Sequence, residues 1–124
     1  MASTRVQKVA KLLREELSSI IRREINDPRL GFISITEVEP TSDLRSANIY
    51  ISAYGTPEEQ QESMGVLDRA SGFLRGILGR KLEMRNIPEL HFQLDRSLER
   101  GARVFELLNE IKPTLEKDKT DDKS

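Results

Sequence analysis

Histidine is the side-chain type most often used as a general base near neutral pH, and this sequence holds one, His91, among 124 residues. A histidine-centred triad needs an orienting acid and a nucleophile close by. His91 lies instead in the alternating run Glu89-Leu90-His91-Phe92-Gln93-Leu94, where it is expected on the polar side of a strand beside Gln93. Cysteine is absent, which excludes disulfides, thiolate zinc sites and thiol catalysis together. Asp118, Asp121 and Asp122 could gather around a hard cation, but their charged, apolar-poor surroundings read as solvated charge. There is no Walker-type loop, and no glycine-rich turn leads from a strand into a helix. No metal, cofactor or catalysis is expected.

The cations are more informative than the sum of charges. Net charge is −1, yet affinity for phosphate follows local potential. Arg5, Lys8, Lys11, Arg14, Arg22 and Arg23 precede the first proline, against Glu15, Glu16, Glu24 and Asp27. Arg69, Arg75, Arg80, Lys81 and Arg85 form a second stretch, with Glu83 as the acid read inside it and few acidic neighbours expected. Arg22, Arg23, Arg69, Arg75, Arg80 and Lys81 are therefore candidate RNA contacts, set against the plain alternative of a solvated helix face. At about 100° per residue, Arg69 and Arg80 fall opposite the Leu67–Leu74–Leu78 stripe, and Arg75 and Lys81 flank it. Phe73 and Ile77 fall near Arg69 and Arg80 on a straight helix. A bend is expected to turn Phe73 inward; otherwise Phe73 is an exposed base-stacking or partner-contact residue.

Two further patterns carry less. Gly76-Ile77-Leu78-Gly79 matches the G-x-x-G of KH domains, but lacks a polar residue between the glycines and is expected to be helical. Tyr50 and Tyr54 share the open side of a strand, an arrangement accounted for by β-propensity.

The elements that must position these residues are legible. Val6, Val9, Ala10, Leu13, Leu17, Ile20, Ile21 and Ile25 make one apolar stripe of a first helix, which Thr4 is expected to cap with Gln7 and Asn26-Asp27-Pro28 to end. Ile33–Thr36 and Ala47–Tyr54 alternate as strands around the turn Pro40-Thr41-Ser42-Asp43, an antiparallel hairpin. Thr56-Pro57-Glu58-Glu59 opens a second helix. Gly65, Gly72, Gly76 and Gly79 weaken its interior by about 1 kcal/mol each, so it is expected to bend or break, with Gly72 the best candidate. Glu89–Leu94 is a third strand, and a last helix from about Ser97 carries Leu98, Ala102, Phe105, Leu108 and Ile111.

The order α-β-β-α(bent)-β-α predicts a two-layer α+β domain over residues 1–112, with 113–124 a disordered charged tail. No stretch approaches the roughly 20 apolar residues needed to cross a bilayer. The amphipathic start does not resemble a signal peptide, so a soluble, reducing compartment, the cytoplasm, is expected.

Several segments resemble a known family. Glu24-Ile25-Asn26-Asp27-Pro28-Arg29-Leu30 holds a helix-ending Asp-Pro-Arg signature and runs into Ile33-Ser34-Ile35-Thr36-Glu37-Val38. Ser42-Asp43-Leu44, Ala47-Asn48-Ile49-Tyr50-Ile51-Ser52, Ala70-Ser71-Gly72, Asp95-Arg96-Ser97 and Gly101-Ala102-Arg103-Val104 follow. In that order and spacing they make residues 4–111 resemble the ribosome-binding factor A family of bacterial small-subunit assembly factors. The resemblance implies a type II KH-like fold in which a kink, here Ala70, Ser71 and Gly72, replaces the KH loop. It also implies a monomer without cofactor that binds the immature 30S subunit at 16S rRNA, near the neck and decoding region. Late maturation, including 16S 5′-end processing, and growth in the cold are implied as well. The alternatives are a protein–protein adaptor acting through Phe73 and the first helix, and a ribonuclease of the 5′ leader.

Overall fold

The computed structural model describes residues 3–96; the expected last helix and tail lie outside them. Helix α1 (Thr4–Glu24) buries Val6, Leu13, Leu17, Ile20 and Ile21. Its cap is Ser3 rather than Thr4. Ser3 is extended and its hydroxyl accepts the Val6 N–H at 3.1 Å, whereas Thr4 is already helical. Arg22 and Arg23 occupy the last turn, where cations complement the helix dipole.

Strands β1 (Ile33–Pro40) and β2 (Ser46–Ala53) pair antiparallel, and β3 (Glu89–Leu94) adds to β2 in parallel, in the order β1-β2-β3. β1 runs past the four residues whose alternation is visible in the sequence. A bulge at Thr36 shifts the register between Ile35 and Glu37, so Ile35 and Val38 both point into the core. The hairpin turn closes through the Leu44 N–H donating to the Thr41 carbonyl, with Leu44 at φ 60°.

Parallel pairing of β2 and β3 requires a crossover, supplied by α2 (Pro57–Lys81). Thr56 and Glu59 form its capping box, and Pro57 opens its first turn, as expected. Hydrogen bonding does not break at Ala70, Ser71 and Gly72; α2 is one helix of 25 residues. Met64, Leu67, Leu74 and Leu78 explain its persistence, because their burial outweighs a penalty of about 1 kcal/mol per glycine.

Both helices pack on one face of the sheet. Leu13, Leu17, Ile20, Ile49, Ile51, Leu67, Leu74 and Leu78 are almost wholly inaccessible and form the centre of the core. Truncating any of them to Ala would cost about 2–5 kcal/mol. Ser34, Asn48, Tyr50, Ser52, His91 and Gln93 line the opposite face, which is open among the described residues.

Candidate nucleic-acid interface

The outer side of α2 carries long cationic side chains over glycines. Side chains on a helix lean toward its N-terminus, so a residue covers the position four before it. A Cβ on Gly65 would sit 3.3 Å from Nη1 of Arg69, and one on Gly76 would sit 3.9 Å from Nη1 of Arg80. Gly72 lies between them, exposed, with nothing within 4 Å of where its Cβ would be. The result is bare helix backbone flanked by two guanidinium groups.

Phe73 stands beside them and is 51% exposed, while Ile77 is 8% exposed. The expected inward turn of Phe73 is therefore corrected, and so is the outward placement of Ile77. The buried face of α2 spans Val66 and Ile77 as well as Leu67, Leu74 and Leu78. That stripe is wide enough to include Ile77 and leaves Phe73 on its rim.

The six candidate cations do not form one surface. Arg75 donates from Nε to the Pro88 carbonyl at 3.1 Å and from Nη2 to the Ile87 carbonyl at 2.8 Å, clamping the segment between α2 and β3. Lys81 pairs with Glu16 at 3.2 Å and ties α2 to α1. Arg69 lies near enough to Asp27 to help stabilise its charged form. Glu16, Asp27 and Asp68 thus correct the expected scarcity of acidic neighbours. Arg22, Arg23 and Arg80 make no ion pair among the described residues, and Arg22 borders a depression of about 100 Å³ against Ser18, Ile33 and Ser34.

The Asp-Pro-Arg signature is a staple. The Asp27 carboxylate accepts from Nε, Nη2 and the backbone N–H of Arg29, at 3.1, 2.8 and 2.9 Å. Those bonds, the side-chain ones foremost, hold Asp27 at a pKa of about 2 against an ordinary 3.8. Two residues on, the Gly31 N–H donates to Oγ of buried Ser63 at 2.9 Å, which fixes this loop to α2.

Polar contacts occupy the middle of the open sheet face. The Tyr50 hydroxyl donates to Glu39 at 3.1 Å, and that carboxylate pushes the Tyr50 pKa up. Gln93 donates to Asn48 at 2.8 Å, and His91 lies 3.5 Å from Glu89, exposed beside Gln93 as expected. With Glu37, Glu39 and Glu89 present, this region repels phosphate. The end of the face differs, because Phe32 and Tyr54 are 76% and 68% exposed and meet edge to face with ring centroids 5.6 Å apart. Phe32 carries no signal in the sequence until the hairpin register sets it opposite Tyr54.

No group of three or more His, Cys, Asp or Glu side chains among the described residues could hold a metal ion, and Asp118, Asp121 and Asp122 lie outside them. No helix there is long and apolar enough to cross a membrane.

Comparison with known proteins adds four findings. The model of the family described as ribosome-binding factor A matches residues 5–108. A ribosome-binding factor A of Thermomicrobium roseum is 46% identical over 120 residues, covering 97% of this chain and 93% of its own. Among solved structures, the crystal structure of ribosome-binding factor A from Thermus thermophilus superposes with a TM-score of 0.67 at 26% identity, over 74% of this chain and 97% of that one. A homology model of the Thermus thermophilus factor, fitted into a cryo-EM map of a 30S complex, gives a TM-score of 0.59 at 28% identity, over 70% and 91%.

Proposed function

The chain belongs to the ribosome-binding factor A family, and we propose from that membership that it is an assembly factor of the small ribosomal subunit. It binds the immature 30S particle through 16S rRNA and promotes late maturation, including processing of the 16S 5′ end. It acts as a cytoplasmic monomer, without a cofactor or catalysis of its own, and supports growth in the cold. The observation that carries this reading is the outer face of α2. Arg69 and Arg80 stand eleven positions apart there, about 16 Å along the axis, with glycine backbone between them that a sugar–phosphate chain can approach closely. Phosphate contacts of this kind position a protein, and RNA shape supplies selectivity.

The remaining candidates have graded roles. Arg22 and Arg23 extend the contact from the last turn of α1. Arg75 and Lys81 hold the segment after α2 and the helix pair in place, and offer the RNA only their remaining N–H groups. Ala70, Ser71 and Gly72 take the place of the family's kink, and the exposed backbone of Gly72 is the part of it that meets the particle.

Charge reversal tests the surface. Arg69→Glu with Arg80→Glu is expected to weaken association with immature small subunits. It should also lower the slope of log affinity against log salt by about 0.7–0.9 for each phosphate the variant no longer reaches. Unchanged binding and slope across several salt concentrations would reject this face. Exposed Phe73 and Leu12 favour a second reading, an adaptor that docks on protein. Purified 16S rRNA stripped of protein separates the two, since the adaptor ignores it.

A further inference from the structure

We propose that the end of the open sheet face built by Phe32 and Tyr54 binds an unpaired RNA base, with Arg22 taking the adjoining phosphate; this rests on the RNA-binding reading above. Phe32 and Tyr54 extend the β1–β2 register by one pair, with the Tyr54 N–H donating to the Phe32 carbonyl at 3.0 Å. Their rings therefore project on the same side as the next pair on that face, Ser34 and Ser52. The small serines leave a depression of about 170 Å³ whose walls are the two aromatic rings and whose floor carries hydroxyls. Ile33 and Ser34 also line the depression beside Arg22, so the aromatic site and the cation adjoin across β1.

Tyr50 shows what an aromatic residue committed to the sheet looks like, half-buried with its hydroxyl on Glu39. Tyr54 differs, for its hydroxyl makes no hydrogen bond among the described residues and its ring, mostly exposed, meets Phe32 edge to face. Adjacent large apolar groups left in water mark an interaction site more often than scattered ones do. Three features favour a base over an apolar protein side chain. The rings offer flat π surface, Ser34 and Ser52 offer donors and acceptors for a base edge, and the neighbouring depression that shares Ile33 and Ser34 is lined by Arg22, which makes no ion pair among the described residues. The nearest acids on β1, Glu37 and Glu39, begin three residues beyond Ser34, about 10 Å along the strand; Asp95, whose N–H donates to the Ile51 carbonyl next to Ser52, also stands on this side of the sheet and accepts the Thr36 hydroxyl.

The test uses the full chain, a fluorescein-labelled single-stranded RNA of about 12 nucleotides and purified immature small subunits. Phe32→Leu and Tyr54→Leu are each expected to weaken RNA binding about 5- to 100-fold, because leucine keeps apolar area and loses the stacking face. Tyr54→Phe retains binding. The leucine variants keep the wild-type salt slope, whereas Arg22→Gln lowers it by about 0.7. Photo-crosslinking wild type to the same RNA places adducts on peptides containing Phe32 or Tyr54. Both aromatics are exposed, so unchanged thermal melts exclude misfolding as the cause. If the leucine variants bind RNA like wild type, the base site is overturned while the function proposed above stands. If they bind subunits normally and only alanine variants fail, the occupant is an apolar protein side chain and the base site is again overturned. If wild type binds subunits but no RNA of any kind, both readings fall together.

Discussion

At the residue scale, Asp27 joins the sequence signature to a measurable property. Its carboxylate is surrounded by three donors of Arg29 and sits at about 2 rather than 3.8. A depressed carboxylate pKa means that the folded state prefers the charged form. The stabilisation is complete above 3.8, declines as protons bind, and is gone once pH falls below about 2. Asp27→Asn is therefore expected to lower the urea midpoint at neutral pH, with the gap to wild type closing through that acidic window. A gap that persists undiminished below pH 2 would show that shape, not charge, holds the loop. The Asp-Pro-Arg run is visible in the sequence as a helix end, and its chelate is not. The fork closes back on a residue two positions earlier, a contact that depends on the turn Pro28 allows. Arg75 is opaque for a different reason. Its acceptors are the carbonyls of Ile87 and Pro88, and backbone oxygens leave no trace in residue type.

At the scale of elements, the helices and strands within residues 3–96 can be read from periodicity, and their departures have local causes. The alternation of β1 stops at Thr36 because the bulge inserts a residue there, so Ile35 and Val38 stand three apart and fit no period of two. Ser3 takes the cap from Thr4 because either hydroxyl fits the pattern and only the backbone conformation chooses. Phe73 resists placement from sequence, since the width of the buried stripe on α2 depends on how closely α1 lies alongside. Gly72 is the informative position. It is exposed inside a continuous helix with open space around it, so the fold has no need of glycine there. Gly72→Ala should stabilise α2 by about 1 kcal/mol and raise the calorimetric melting temperature by roughly 4–8 °C. The same substitution is expected to reduce co-sedimentation with immature small subunits, because the added methyl stands where RNA backbone would approach. Stabilisation with undiminished co-sedimentation would leave the glycine without a part in docking.

At the scale of the whole molecule, the two layers carry opposite instructions. Exposed cations lie on the helices and around the start of β1, while Glu37, Glu39 and Glu89 stand on the open face of the sheet. A net charge of −1 gives little long-range attraction to nucleic acid in general. On the function proposed above, affinity comes from close contact at the helices and the start of β1 rather than from long-range attraction. The acids at the middle of the sheet oppose docking through that region, and like-charge juxtaposition is an effective way to suppress wrong partners. Replacing Glu37 and Glu39 by Lys shifts the charge by two units at each site, from −1 to +3. The double variant is expected to bind unrelated duplex RNA more tightly, with a steeper salt dependence. Its preference for immature small subunits over that duplex should fall correspondingly. Glu37→Gln with Glu39→Gln, which removes the repulsion without adding cations, should show the same trend at smaller amplitude. Filter binding against both RNAs over a salt series measures each term, and an unaltered preference in the lysine variant would mean that the acidic face takes no part in selection.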